Sequence, residues 1–186
     1  MEIDHKMKIK GNKQFARMDA LVKEDILQGE IKKFLKMNKN VVYGARSINA
    51  QTGILTRNTK DWDAFSNNPK KTANQLQKQL DKQVQGDYFY SKPAMHKGTW
   101  KVKGKGNDLI KNTKDDEEVA DFSKPLKKVP FVIVDGLRYR TLKEEIKAKK
   151  KAVADPEFKF RHEKDQTDLN RIKDNMKIKQ IIGGNK

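Results

Sequence analysis

The 186-residue, 21.5 kDa chain fits one ordinary domain; its 35% hydrophobic and 36% charged residues predict a small core with basic ends. It has no cysteine, which excludes disulfide scaffolds, thiolate zinc sites and cysteine nucleophiles, and no window approaches the roughly 18–20 apolar residues of a membrane span or a secretory leader, so a soluble, cytoplasmic protein is expected. The net charge of +17 points to an anionic partner such as nucleic acid or a nucleotide phosphate, although only seven of the 42 basic residues are arginine and a lysine-rich surface is also an ordinary solvated background.

The first fifteen residues lack sustained periodicity and form a basic lead-in, residues 16–175 a single domain, and 176–186 a basic tail. From Arg17 to Lys36, Met18, Leu21, Val22, Ile26, Ile31, Phe34 and Leu35 recur near helical spacing, with Gly29 as a weak point. Val41-Val42-Tyr43 is a short apolar strand, and Gly44-Ala45-Arg46-Ser47 turns it into a second helix. Asp61 to Ser66 is another strand, with Trp62, Ala64 and Phe65 as its apolar positions. Asn68-Pro69 then reads as a cap followed by proline in the first turn, with Ala73, Leu76, Leu80 and Val84 forming the buried stripe and Gly86 placed as the C-terminal glycine.

Tyr88 to Met95, Thr99 to Lys103 and Val119 to Phe122 are predicted strands, with a polar loop from Gly104 to Glu118 between the last two. Phe131 to Val134 is predicted to be a buried strand, and Asp135-Gly136 after it is a hairpin signal with Leu137 and Tyr139 alternating on the return. Thr141 is placed to cap a helix carrying Leu142 and Ile146. Pro156 breaks the chain before a last helix with Leu169, Ile172 and Met176, and Ile181 to Lys186 is expected to be a loose tail. Locally paired strands with grouped helices predict an α+β domain with a mixed sheet.

The chemistry centres on carboxylates. Asp61 and Asp63, at i and i+2 of a strand, point to one face about 7 Å apart and can converge on bound cations. Asp121, flanked by apolar residues, offers a third carboxylate on a later strand. Three such oxygens suit two Mg²⁺ ions bridging a nucleoside triphosphate. Backbone amides at the Gly44 turn can cradle phosphate oxygens, with Arg46 and Ser47 adding charge or a hydroxyl.

Gly44-Ala45-Arg46-Ser47, Asp61-Trp62-Asp63 and Asp121, in that order, resemble the DNA-polymerase-beta-type nucleotidyltransferase superfamily. Val134 to Leu142 and Arg161 to Leu169 look like the closing segment of its minimal and toxin-type members, so the resemblance runs from about Val41 to Lys173. It implies a nucleotidyltransferase-like mixed sheet flanked by helices, with a helical C-terminal segment. It further implies Mg²⁺ or Mn²⁺ held by Asp61, Asp63 and Asp121, which are also the catalytic set, and a nucleoside triphosphate contacted by Gly44, Ala45, Arg46, Ser47 and Lys60. The implied reaction moves a nucleoside monophosphate to a hydroxyl on RNA, DNA, protein or a small molecule. The family usually has Gly-Ser or Gly-Gly at the turn, whereas Ala45 follows Gly44 here and the nearest serine is Ser47.

Blander readings accompany these. Tyr88, Phe89, Tyr90 and Trp100 could stack bases, but aromatics alternating on strands are ordinarily core. Arg161 with Asp165 and Lys164 with Asp168 have the i, i+4 spacing of helix-surface pairs. His96 and His162 read as surface groups rather than zinc ligands. The alternative function is a non-catalytic protein that keeps the fold and uses its lysines on nucleic acid, with a partner protein or inside a larger assembly such as a virion.

Overall fold

In the computed structural model, which describes residues 20–54, 59 and 61–183, the apolar spacing of the N-terminal third becomes helix α1, Ala20–Met37. The expected basic lead-in lies outside the described residues. Ile31, Phe34 and Leu35 of α1 are buried, and Gly29 does not interrupt the helix. The described residues divide into two units, one built from 20–41 with 61–128, the other from 42–54, 59 and 129–183.

The first unit holds strands β2 (Trp62–Phe65), β3 (Phe89–Pro93), β4 (Thr99–Gly104) and β5 (Glu117–Ser123) in the order β3-β4-β5-β2. Strand β3 runs antiparallel to β4 and β4 to β5, whereas β5 is parallel to β2. Strand alternation turns Trp62, Ala64, Ala120, Phe122 and Val102, all buried, to one face. On that face the Phe34 and Phe122 rings meet edge to face, and the Trp62 indole N–H donates to Gln28 Oε1 at 2.7 Å, fastening α1. Tyr88, Phe89 and Tyr90 are buried, as core aromatics should be.

Helix α3 (Pro69–Gln83) also packs on the first unit's sheet, burying Ala73, Leu76 and Leu80. Asn68 Oδ1 accepts the Lys71 amide at 3.1 Å, and Pro69 occupies the first turn, where its missing N–H costs nothing. Asn68→Ala should lower stability by about 1 kcal/mol in urea unfolding, while Asn68→Ser should cost less, because serine also accepts an amide hydrogen. The end of α3 differs from expectation. Gln85, with φ 52°, takes the left-handed position, and the Gly86 amide reaches back to the Asp81 carbonyl at 3.0 Å.

The second unit contains α2 (Ala45–Thr52), β6 (Phe131–Val134), β7 (Leu137–Arg140), α4 (Leu142–Ala154), a 3₁₀ segment (Pro156–Arg161) and α5 (His162–Gly183). The two-residue strand β1, Val41–Val42, spans the division. Asp135 and Gly136 have φ of 51° and 78°, the left-handed pair that a tight primed hairpin turn requires.

Three expectations are corrected here. The strand Phe131–Val134 is exposed rather than buried, with Ile133 65% accessible, because β6 packs chiefly along β7 and among the described residues no helix is packed closely over it. Thr141 stands at the cap of α4 without a capping side-chain bond; the Leu142 amide is satisfied by Gln51 Oε1 at 3.0 Å. The helix expected to fray before Ile181 continues through Gly183.

Helices α4 and α5 are joined by a buried ionic cluster: Lys149 Nζ lies 2.6 Å from Asp165 and 2.8 Å from Asp168, and Arg161 Nε lies 2.7 Å from Asp165. Burial pushes the Asp165 carboxyl up, but the Arg161 and Lys149 hydrogen bonds outweigh it and hold the group below the ordinary aspartate value. Asp165 and Asp168 are therefore buried partners of Lys149, with the exposed Arg161 adding a second cation to Asp165. Seven strands and five α-helices among the described residues make a mixed α+β architecture, as the order of elements predicts.

Candidate functional site

The register of β2 on β5 brings two of the three expected carboxylates together. Asp63 and Asp121 are directly paired across the parallel strands, a backbone separation of about 4.8 Å, on the sheet face opposite the buried Trp62 and Phe122. Asp61 stands immediately before β2, two residues from Asp63, and its charge acts on Asp121. The register thus sets the Asp61–Asp63 segment beside Asp121, about sixty residues away in sequence.

Lys101 is the residue that sequence reasoning missed. It lies directly across β4 from Asp121, so that Lys101, Asp121 and Asp63 form a row over three adjacent strands. Its ammonium is 3.5 Å from Asp121 Oδ2 and 2.9 Å from Glu118 Oε1. Burial lowers the Lys101 pKa, and Glu118 and Asp121 more than reverse that, leaving it raised. The available signal was a lysine on a strand otherwise apolar at Trp100 and Val102, but its partner depended on register.

Asp121 is pushed up to about 6, first by burial, against the attraction of Lys101 and with repulsion from Glu118 and Asp61 added. The sign follows directly. The folded chain holds this proton more tightly than the unfolded chain, so between about pH 4 and 6 stability falls as pH rises, and the penalty is complete above that window. Asp121→Asn removes the penalty and leaves Lys101 paired with Glu118. The variant should melt higher than the parent at pH 7, with the difference closing towards pH 4; a difference independent of pH would contradict this origin.

In the second unit, Gly44 caps α2 with φ 75° and ψ −146°, a backbone conformation open essentially to glycine alone. Its carbonyl accepts the Ile48 amide at 3.1 Å, starting the helix. Its own amide donates to Glu145 Oε1 at 2.9 Å, and the same carboxylate takes Arg140 through Nε at 3.0 Å and a terminal nitrogen at 2.5 Å. Glu145 is 1% exposed and was also missed in the sequence, where it is one of many charged residues on a lysine-rich helix.

The other turn residues have distinct positions. Ala45 packs with Ile48 and Ile172 in an apolar cluster, which explains a methyl group at this position. Ser47 is fully buried, its hydroxyl donating to the Arg140 carbonyl at 2.7 Å, beside Gln51, which donates to the same oxygen at 2.9 Å. Arg46 is half-buried and donates to the Thr59 carbonyl. Lys60 lies outside the described residues.

Among the described residues no group of three or more His, Asp or Glu side chains is gathered to hold a metal ion by itself. Magnesium ordinarily takes one or two carboxylates, with water and substrate phosphate completing its shell. The laterally paired Asp63 and Asp121, with Asp61 nearby, supply hard oxygen donors of that kind, and Asp121 sits among like charges that a divalent cation would relieve. The donor set is compatible with Mg²⁺ or Mn²⁺.

No family model and no curated protein sequence matches the chain. Among solved structures it is similar to the Megavirus polyadenylate synthase, with a TM-score of 0.71 and 17% identity over 94% of this chain. The fold is nucleotidyltransferase-like. The chain spans 35% of that synthase's length. A second similar structure, JHP933 from Helicobacter pylori, has a TM-score of 0.46 at 14% identity, covering 76% of this chain and 60% of that one. Within the described residues no helix is long and apolar enough to cross a membrane.

Proposed function

We infer that the chain transfers a nucleoside monophosphate from a nucleoside triphosphate to a hydroxyl acceptor on RNA, DNA or protein. The observation that carries this reading is the lateral pairing of Asp63 with Asp121, and Asp61 two residues back, within a nucleotidyltransferase-like fold. Asp61, Asp63 and Asp121 would hold Mg²⁺ or Mn²⁺, which when bound neutralises phosphate charge and favours in-line attack. Asp121, half-buried and shifted towards neutral pH, is suited to accept the proton of the attacking hydroxyl. Phosphate oxygens are assigned to the Ala45 and Arg46 amides at the start of α2, with the Arg46 guanidinium and Lys60 adding charge. The Gly44 amide serves the turn through Glu145, and Ser47 supports it through Arg140.

The test is label transfer from each of the four α-labelled ribonucleoside triphosphates, ATP first because of the likeness to a polyadenylate synthase, with RNA, DNA or the chain itself as acceptor. Metal-dependent labelling abolished by a chelator is expected. Folded protein that transfers label from none of the four would overturn the reading.

A second reading, a non-catalytic protein that retains the fold, is favoured by the engaged Gly44 amide and Ser47 hydroxyl and by the Lys101 ammonium already paired with Asp121. It expects salt-sensitive nucleic-acid binding with no transfer and no response to metal.

A further inference from the structure

Helix α3 differs from α1, α4 and α5 in how its charge is arranged. Helix α1 mixes Lys32, Lys33 and Lys36 with Glu24, Asp25 and Glu30, and Lys33 lies 3.9 Å from Glu30. On α4, Lys147 is paired with Glu144 at 2.8 Å, and α5 mixes both signs along its length. The sequence of α3, PKKTANQLQKQLDKQ, contains four lysines and a single acid, Asp81.

That acid is withdrawn from the surface. Asp81 Oδ1 accepts the Tyr88 and Phe89 amides at 2.9 and 2.8 Å, anchoring the entry to β3, and Oδ2 accepts from Gln77. Lys70, Lys71, Lys78 and Lys82 remain exposed. The run Lys70, Asn74, Lys78, Lys82 repeats every four residues, a rise of about 6 Å per step along one face. Asn68, Lys70, Lys71, Asn74, Gln75 and Lys78 line a shallow groove of about 450 Å³ on this face. At its end the Lys70 ammonium sits 5.2 Å over the indole of the half-buried Trp100, which holds that lysine against the sheet.

We propose that this face of α3 is a binding track for single-stranded nucleic acid, with Lys71, Lys78 and Lys82 on phosphates along the strand and the Asn74 and Gln75 side-chain amides hydrogen-bonding it between Lys71 and Lys78. Lys78 lies two turns beyond Lys71, about 10 Å along the helix, and Lys82 one turn further, a line of like charge that suits one backbone strand. Gln75 supplies both a donor and an acceptor, and Asn74, whose Oδ1 already accepts from Ser91 Oγ, supplies its amide N–H groups. The face carries no apolar residue between its lysines, so it lacks the inserting side chains that an interfacial membrane helix needs. The track goes beyond the proposed transfer reaction and uses none of its carboxylates.

The test compares two triple variants with the same change of charge: Lys71→Gln/Lys78→Gln/Lys82→Gln on α3, and Lys147→Gln/Lys150→Gln/Lys151→Gln on α4. Binding of a labelled oligouridylate is followed by anisotropy across a salt series, using the full chain with unchanged circular dichroism. The α3 variant should bind about tenfold or more weakly at low salt, and its log Kd against log salt slope should fall by about 2, since each lost single-strand contact removes about 0.7. The α4 variant should stay close to the parent. Equal losses in both variants would reduce the effect to net charge and overturn the track. Preferential binding of the parent to phosphatidylserine vesicles over RNA, lost in the α3 variant, would also overturn it. The comparison is repeated in an Asp63→Asn background, where retained binding separates the track from the catalytic proposal.

Discussion

Replacing Asp63 with asparagine is expected to lower nucleotidyl transfer by about 10²–10³-fold or more while leaving the chain folded. Asparagine keeps the size and hydrogen-bonding capacity of the side chain but not the charge. On a sheet face opposite the core, that exchange disturbs no apolar packing. The loss should fall on kcat, with KM for the triphosphate moving much less, because the phosphates are assigned to α2 rather than to this strand. Manganese affinity, read by the enhancement of water-proton relaxation on binding, should weaken in parallel and gives a readout besides turnover. Transfer retained within a few-fold of the parent would remove the Asp63–Asp121 pair from the chemistry.

Removing Glu145 is expected to cause the largest loss of stability among single changes in the second unit near the Gly44 turn, about 3–5 kcal/mol for Glu145→Ala, measured by urea unfolding. One buried carboxylate satisfies the Gly44 amide and both arms of Arg140, so truncation strands a half-buried guanidinium and a half-buried amide together. Arg140 also lies 5.2 Å from the centre of the Tyr43 ring, and its carbonyl receives Ser47 and Gln51, so the disturbance should spread through the turn. Glu145→Gln, which keeps an acceptor for Gly44 but loses the ion pair, should fall between the two. A cost below about 1 kcal/mol for the alanine variant would mean that the turn holds its conformation without the carboxylate.

The same geometry ties stability to the proposed activity. Asp121 is held among Asp61 and Glu118, which keeps its proton too tightly for best stability at neutral pH. A residue whose replacement by asparagine stabilises the fold and impairs transfer is the pattern expected where charge is arranged for a ligand rather than for folding.

The sequence by itself determined the features that depend on neighbouring residues. Strand alternation put Asp63 on the face opposite Trp62 and Ala64, Asn68-Pro69 began α3, and Asp135-Gly136 closed the β6–β7 hairpin, because each follows from backbone period, capping or the sterics of positive φ. It also assigned Asp165 to Arg161 at helical spacing. Only the tertiary structure decided which distant groups meet. The pairing of Asp63 with Asp121, the placement of Lys101 opposite Asp121 and the hold of Glu145 on Gly44 depend on strand register and helix docking, which no local period encodes. Burial obeyed the same rule: Phe131–Val134 has the composition of a core strand, but whether a face is covered depends on what packs over it, and this apolar run, packed chiefly along β7, stands exposed. The acidic pair was legible because its spacing is local; its third member had to be delivered by a parallel strand from across the unit.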